Sequence, residues 1–317
     1  MKKMKAKIAG TYNFIKQVGG GFVNDNVMKY SASLSYYTVF SLAPMLIVII
    51  SICGIVFGKE AMQGRIYEEI NGLVGSAAAL QIQDTIQNTQ LSRETPVANI
   101  ISIVALLIGA TGIFGEIQDS LNKIWGLRTK TKKIWWKLIL NRLISFSLII
   151  SLGFVLMVSL VLNALIASIG SHINNVFSGA GPLTVAVFEN VLSLLVSSLL
   201  FAVIFRALPD AKIRLKDVAI GGFATAVLFM LGKVGIGYYL GQSNLASVYG
   251  AAGSFVIIMI WVYYSSVILY LGAVFTKVYA MTHGGKIAPN DYSVWIKVEE
   301  TPVANVVQAN TDTTKKI

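Results

Sequence analysis

Two charged residues interrupt long apolar stretches, and they are the first candidates for chemistry. Lys233 lies within an apolar run that surrounds it on both sides, and Glu189 lies in the preceding run. Because a charge inside a membrane is costly, such residues are candidates for function. Counted from the outer ends of their runs, both lie about 10 Å deep. We expect them to face a polar cavity open to the outer leaflet, where they pair and Lys233 meets an anionic headgroup or solute. The alternative is that Lys233 snorkels to the outer surface or ties two helices together.

Small polar residues and tyrosines could line the same cavity. Ser31, Ser35 and either Tyr37 or Thr38 recur at helical spacing in the first apolar segment. Small residues at this spacing usually indicate close helix packing, but they also suit the wall of a hydrated cavity. Tyr263 lies deep in the last apolar segment, where its hydroxyl needs a hydrogen-bond partner or water. The candidate substrate-binding residues are therefore Lys233, Glu189, Ser35, Tyr37 and Tyr263.

A second polar cluster is expected at the cytoplasmic ends of the second, third and fourth apolar segments. Asp119 and Lys123 are spaced to form an ion pair along one helix. The cluster is interpreted either as a solvated helix end or, through Arg142 and Arg206, as a site for lipid phosphate on the cytoplasmic side. Its candidate members are Glu116, Asp119, Asn122, Lys123, Arg142 and Arg206.

The composition indicates a membrane protein. Of the 317 residues, 55% are hydrophobic and only 13% are charged, and the mean hydropathy is +0.68. Soluble domains carry roughly 25% charged residues. The net charge of +11 is placed in alternate connections, so it predicts membrane topology and gives no reason to expect nucleic acid. With one cysteine and two histidines, the sequence predicts no metal site and no cofactor.

The predicted fold is an all-α, polytopic helical bundle with six transmembrane helices and amphipathic interfacial helices. Pro44 is expected to kink the first span. Basic residues concentrate at the N-terminus, in the second and fourth connections and after the last span, which predicts that both termini are cytoplasmic. The predicted spans are 27–57, 97–115, 137–169, 183–208, 218–240 and 251–279.

Three regions are predicted on this basis. Residues 1–26 form a cytoplasmic N-terminal segment, either a helix lying in the membrane surface or a frayed tail. Residues 27–282 form the six-span membrane domain, with a long outer connection at 58–96 that we expect to hold one or two amphipathic helices. Residues 283–317 form a polar cytoplasmic tail.

Three motifs resemble those of the YihY/BrkB family of bacterial inner-membrane proteins. They are ASLSYYTVFSLAP at 32–44, IQDSLNKIWG at 117–126, and YGAAGSF at 249–255 followed by WVYY and LGA at 261–264 and 271–273. The resemblance covers about residues 22–282 and implies a multi-pass inner-membrane protein. Many members carry an acidic residue soon after the final Gly-Ala, where this chain has Val274, so no role of that acid is carried over.

The family has been labelled a ribonuclease (ribonuclease BN) and linked to virulence, transport and envelope lipid handling. Metal-dependent RNA hydrolysis needs clustered carboxylates or histidines. The predicted cytoplasmic loops offer four scattered acidic residues and no histidine, so we predict no catalytic site. The favoured function is a transporter or flippase-like protein for an anionic lipid or amphiphile, with a cavity lined by spans one, four, five and six. The alternative is a non-transporting scaffold for envelope assembly that recruits partners through 58–96 and the tail.

Overall fold

The computed structural model describes residues 2–41, 112–130, 181–243, 249, 253–283, 285–291 and 293–296. In these residues the chain is mainly helical, with short strands near one end. The helices are α1 (Lys2–Asn24), α2 (27–41), α3 (112–124), α4 (Gly181–Ala207), α5 (Leu215–Gln242) and α6 (Gly253–Thr282). The strands are β1 (Leu127–Thr129), β2 (Ala211–Lys212), β3 (Ala288–Pro289) and β4 (Ser293–Trp295).

Three helices are long and apolar enough to cross a membrane. The qualifying segments are Asn190–Ala207 of α4, Leu215–Leu240 of α5 and Phe255–Thr282 of α6. They confirm the predicted positions of the last three spans as apolar helices to within a few residues. α4 carries Pro182 in its first turn, where the missing N–H costs no helical hydrogen bond, and it ends before Pro209. α5 begins after Arg214, whose Nε donates to Asp217 in the first turn.

Glycines allow α4, α5 and α6 to pack closely. A Cβ at Gly222 of α5 would lie 2.7 Å from the Ser198 carbonyl oxygen and 2.8 Å from the Ala202 nitrogen of α4. Distances this short leave no room for any side chain except glycine's hydrogen. Small residues are typical of helix contacts in lipid, where helices associate through close packing rather than a hydrophobic driving force.

The contact between α5 and α6 is reciprocal. Thr276 of α6 fills the space beside Gly221 of α5, and Thr225 of α5 fills the space beside Gly272 of α6. Each threonine hydroxyl donates to a carbonyl of its own helix, Thr225 to Gly221 and Thr276 to Gly272, both at 2.7 Å. The hydroxyl protons are therefore used within each helix. The threonine side chains, with Oγ1 nearest, pack against the facing glycine.

The N-terminal helix α1 crosses the last span steeply. A Cβ at Gly21 would lie 2.7 Å from Val274 Cγ1, and the rings of Phe14 and Phe275 meet edge to face at 5.2 Å. The contacts are seven positions apart on α1 but adjacent on α6, so α1 lies across α6 rather than along it. A turn at Asn26, with φ of 52°, then redirects the chain into α2.

Two short antiparallel ladders gather several connections at one end of the bundle. β1, which follows α3, pairs with β4 after the last span, and β2, between α4 and α5, pairs with β3. Gly126, with φ of 71°, makes the turn from α3 into β1. The prediction of an all-α chain was therefore incomplete. Runs of two or three residues are too short to produce a period-two sequence pattern.

Several predictions fall outside the described residues. These are the second half of the first span with the kink at Pro44, the outer connection 58–96, the second span up to residue 111, Arg142, the third span and the tail beyond residue 296. For Glu189, the described structure includes its place in α4 but not its side chain.

Candidate functional site

Lys233 lies on the side of α5 that packs against α4. Gly222 lies three helical turns before Lys233, on the same side of α5, and contacts α4 at Ser198 and Ala202. Moving about 11 residues along each antiparallel helix from that contact brings Lys233 of α5 and Glu189 of α4 to the same level. The backbone thus places the two residues at one height of the helix pair. Their pairing stays a prediction, because the Glu189 side chain is not described.

Two buried hydrogen-bond donors of α6 lie at the level of Lys233. The Tyr264 hydroxyl contacts Gly232, the residue before Lys233, and the indole of Trp261 packs edge to face on Phe229 at 6.2 Å. Both Tyr264 OH and Trp261 Nε1 are buried without a hydrogen-bond partner among the described residues. Buried donors normally have partners, so their presence in span-length helices calls for an explanation.

The other predicted cavity residues have different surroundings. Ser35 of α2 donates to the Met259 carbonyl of α6 at 2.9 Å, so it joins two helices. Tyr37 is partly exposed and packs beside Gly112 at the start of α3. Tyr263 is half-buried on a different side of α6 from Tyr264. The structure thus places Tyr264 and Trp261, rather than Tyr263, against α5 near Lys233.

A buried carboxylate organises the polar end of the bundle. Asp210, 4% exposed, lies in the turn between α4 and β2 and accepts three side-chain hydrogen bonds at 3.0 Å. Gln118 and Asn122 of α3 donate to its two oxygens, and Thr129 of β1 donates a further bond. The Asp210 amide also donates to Asn122 Oδ1 at 2.8 Å. The α4–α5 connection is thereby fixed to the end of α3.

The backbone of Asp210 also holds the segment after the last span. The Ser293 hydroxyl donates to the backbone carbonyl oxygen of Asp210 at 2.7 Å, and the backbone N–H of Asn290 donates to the same oxygen at 3.0 Å. One residue therefore connects α3, β1, the α4–α5 turn and the strand segment 288–295. We call Gln118, Asn122, Thr129, Asp210, Asn290 and Ser293 the Asp210 clasp.

The remaining members of the predicted polar cluster are spread around the clasp. Glu116 accepts from Ser120 at 3.3 Å, and Lys123 Nζ lies 5.3 Å from the centre of the Tyr30 ring. Asp119 is exposed on α3, and its pairing with Lys123 stays a prediction. Arg206 donates to the Ile213 carbonyl, which closes the turn between α4 and α5. Of the predicted cluster, Asn122 is the member that belongs to the clasp.

Lys277 forms a second junction beside the clasp. Its ammonium group donates to Asp25, at 3.0 Å from Oδ2, and to the Ile124 carbonyl at the end of α3. The side chains of Lys277 and Asp25 are 23% and 19% exposed, so the ion pair is largely shielded from water. Nearby, Trp125 Nε1 donates to the Ala273 carbonyl at 3.1 Å. α6 is thus tied to both the α1–α2 turn and α3.

Comparison with known proteins identifies the family. The family model described as Virulence factor BrkB matches residues 18–293, which include α2 to α6 and extend to the first residue of β4. The chain belongs to the BrkB family. The match ends at Ser293, the residue whose hydroxyl joins the C-terminal segment to Asp210.

Curated BrkB-family relatives carry the name UPF0761 membrane protein. One from Vibrio campbellii is 28% identical over 86% of this chain and 83% of its own length. One from Vibrio parahaemolyticus is 29% identical over 82% of this chain and 80% of its own length. One from Psychrobacter is 26% identical over 82% of this chain but only 47% of its own length. No solved structure matches the chain.

Sequence reasoning missed the residues that matter most at the polar end of this BrkB-family chain. Asp210 is one of the four acidic residues of the predicted cytoplasmic loops, for which the sequence indicated no role, and Lys277, near the end of the predicted sixth span, was not a candidate. A signal for Asp210 was present, since an acidic residue directly after Leu208-Pro209 stands at the end of an apolar helix. Its donors lie about 80 to 90 residues away along the chain, so no local pattern identifies them.

The described residues give no support for metal chemistry. They contain no group of three or more histidine, cysteine, aspartate or glutamate side chains that could hold an ion. The Asp210 carboxylate receives its described bonds from neutral side chains, two amides and a hydroxyl. The arrangement is typical of a structural connection.

Proposed function

We propose that this BrkB-family protein binds an anionic lipid or amphiphile in the outer-leaflet half of the membrane and moves it between leaflets. The observation that carries the proposal is the set of donors at one level of α5 and α6. Lys233, Trp261 Nε1 and Tyr264 OH lie within helices apolar enough to span a membrane, and two of them lack described partners. A membrane interior offers no water to satisfy such groups.

The chemistry of these donors favours a phosphate or carboxylate headgroup. An ammonium group, an indole N–H and a phenol O–H can all donate to anionic oxygens, and charge-assisted hydrogen bonds are stronger than neutral ones. Glu189, at the same level of α4, supplies the opposite charge. In this proposal the Glu189 carboxylate neutralises the Lys233 charge when no anion is bound. A bound headgroup then takes the place of Glu189 as the partner of Lys233.

We further propose that the end of the bundle with the Asp210 clasp faces the cytoplasm of the bacterial inner membrane. Near this end are Arg128, Lys130, Arg206, Lys212, Arg214, Lys216 and Lys286. The excess of basic residues on cytoplasmic loops supports this orientation. α1, the α4–α5 turn and the segment after α6 would then share the cytoplasmic side.

A lipid-scrambling measurement tests the proposed function. The full chain is reconstituted into vesicles that contain a fluorescent phosphatidylglycerol, and the fraction of probe moved between leaflets is followed by dithionite quenching. We expect faster scrambling than in protein-free vesicles. Lys233→Met should lower the protein-dependent rate at least about tenfold, because a hydrogen bond to a charged group contributes about 1.5–3 kcal/mol. Trp261→Phe and Tyr264→Phe should each lower it less.

Lys286→Met is the matched control, since Lys286 is exposed near the proposed cytoplasmic end. It should scramble the probe at the wild-type rate. Equal rates for wild-type protein and empty vesicles, or no effect of Lys233→Met in a folded protein, would contradict the proposal. The scaffold hypothesis, which places partner binding in the outer connection 58–96 and the tail, would then be preferred.

A further inference from the structure

The N-terminal helix α1 has two apolar faces, and among the described residues only one of them packs on the bundle. Phe14, Val18 and Phe22 lie against the buried core of the bundle. Tyr12, Ile15 and Val23 point elsewhere and are 67%, 63% and 71% exposed. At 100° per residue these three lie on one face, about a third of a turn from the packed face.

Polar residues border the second apolar face. Asn13, Lys16 and Gln17 are exposed, and they lie on the side of α1 next to the second apolar face and away from the packed face. An exposed apolar face bordered by polar residues is the pattern of a helix that lies in a membrane interface. A helix surrounded by protein on every side would have no face in water, so it would not need polar residues beside its apolar face.

The crossing geometry gives α1 the orientation such a helix needs. α1 lies across α6 at Val274 and Phe275 rather than along it, so α1 is inclined toward the membrane plane when α6 spans the bilayer. These contacts are about 21 residues from Gly253, or about 32 Å along α6, close to the roughly 30 Å thickness of the hydrocarbon core. If Gly253 lies at the opposite membrane surface, α1 crosses α6 near the headgroups, within the last two turns of the apolar segment Phe255–Thr282.

The charge of α1 indicates which lipids it meets. The helix contains five lysines and no acidic residue: Lys2, Lys3, Lys5, Lys7 and Lys16. Basic residues near an anionic leaflet are attracted to its headgroups. At its other end, α1 is held by the Asp25–Lys277 ion pair, so the helix is fixed to the bundle where it leaves the membrane surface.

We propose that α1 is an in-plane docking helix for the anionic leaflet, with Tyr12, Ile15 and Val23 inserted among the acyl chains and its lysines against the headgroups. The proposal does not depend on transport. It assigns the first 24 residues a function, membrane-surface binding, that the spans alone do not supply. The predicted alternative of a frayed tail would leave the same apolar residues in water.

Spin labels on two exposed positions of α1 test the docking. Ile15→Cys and Gln17→Cys are made in a Cys53→Ser background, and the full chain is reconstituted into vesicles of phosphatidylcholine with phosphatidylglycerol. For each label, the collision rate with oxygen is divided by the collision rate with a water-soluble nickel chelate. This ratio should be several-fold higher at position 15 than at position 17. In vesicles of phosphatidylcholine alone, this contrast should shrink.

Two results would overturn the proposal. Equal exposure of both labels to the nickel chelate would mean that the second apolar face is not inserted. An unchanged contrast in phosphatidylcholine would mean that anionic lipid has no part in docking. Hydrogen exchange of residues 2–24 in the unsubstituted chain provides a second measurement should Cys53→Ser fail to fold. It should be slower with phosphatidylglycerol, and equal exchange in both lipids would contradict the proposal.

Discussion

Helix α5 is held in two contrasting ways along its length. At its N-terminal end, the Asp210 clasp joins the preceding turn to α3, β1 and the C-terminal strands through side-chain hydrogen bonds. Along the span, α5 meets α4 at Gly222, where the two backbones approach closely, and α6 at Gly221, where the Thr276 side chain packs. There the threonine hydroxyls bond only within their own helices.

The difference follows from the medium around each region. At the polar end, water competes for every donor, so segments are joined by a buried carboxylate that has several specific partners. Within the span, lipid is as apolar as the side chains, so association depends on shape and on small residues. The polar end thus specifies which segments meet, and the span determines how closely the helices approach.

The largest effect should come from Asp210→Ala. The substitution leaves the donors of Gln118, Asn122 and Thr129 buried without their acceptor, and an unsatisfied buried group costs about 1–3 kcal/mol. We therefore expect the free energy of unfolding to fall by about 4 kcal/mol or more. Unfolding by sodium dodecyl sulfate in detergent micelles, followed by circular dichroism, measures it.

Asp291→Ala is the matched control for that substitution. Asp291 pairs with Lys212 at 3.0 Å, but their side chains are 87% and 62% exposed. Such a surface pair contributes less than about 1 kcal/mol. Equal destabilisation by the two alanine variants would show that Asp210 is not a special connection.

The next largest effect should come from Gly222→Val. The new side chain would collide with the Ser198 carbonyl and the Ala202 backbone of α4. Because backbone atoms cannot move aside easily, we expect a loss of about 3 kcal/mol in the free energy of unfolding. Gly235→Val on the same helix should change stability by less than about 1 kcal/mol, since nothing lies within 4 Å of its Cβ position. If both variants behave alike, close packing at Gly222 does not hold α4 and α5 together.

The smallest effect should come from Ser35→Ala. Ser35 donates from α2 to the Met259 carbonyl of α6, and removing one hydrogen bond between helices in a membrane costs about 1 kcal/mol. Ser31→Ala is the comparison, because the Ser31 hydroxyl donates to Val27 of its own helix at 2.8 Å. The same unfolding assay should show a larger loss for Ser35→Ala than for Ser31→Ala. The reverse order would place Ser35 outside the α2–α6 contact.

The last three spans could be predicted from sequence because their apolar runs end at strong breaks. Pro209 and Asp210 end the fourth run, and the polar residues after Thr282 end the sixth. The family was also predictable, because its motifs occur as continuous strings of residues. Both kinds of signal are local, so a single sequence is enough to find them.

The contacts of the polar end could not be predicted in the same way. Asn122 was a candidate, but its partner Asp210 lies 88 residues away, and the β1–β4 pairing connects segments more than 160 residues apart. Near Lys233, the sequence favoured Tyr263, whereas the rotation of α6 places its neighbour Tyr264 against Gly232. Which of two adjacent helical residues contacts a partner depends on the face that the helix turns toward that partner. A uniformly apolar helix has no amphipathic pattern from which this face can be predicted.

The most direct test of the account asks whether segments distant in sequence meet at one cytoplasmic end. Arg128 and Val294 are exposed partners in the β1–β4 ladder, so a double variant with cysteine at both positions should cross-link with a short thiol reagent in native membranes. Neither single variant should give this intramolecular product. A membrane-impermeant maleimide should reach both cysteines in inverted vesicles but not in intact right-side-out ones. Absence of the cross-link, or labelling of the two positions from opposite sides of the membrane, would contradict the central claim.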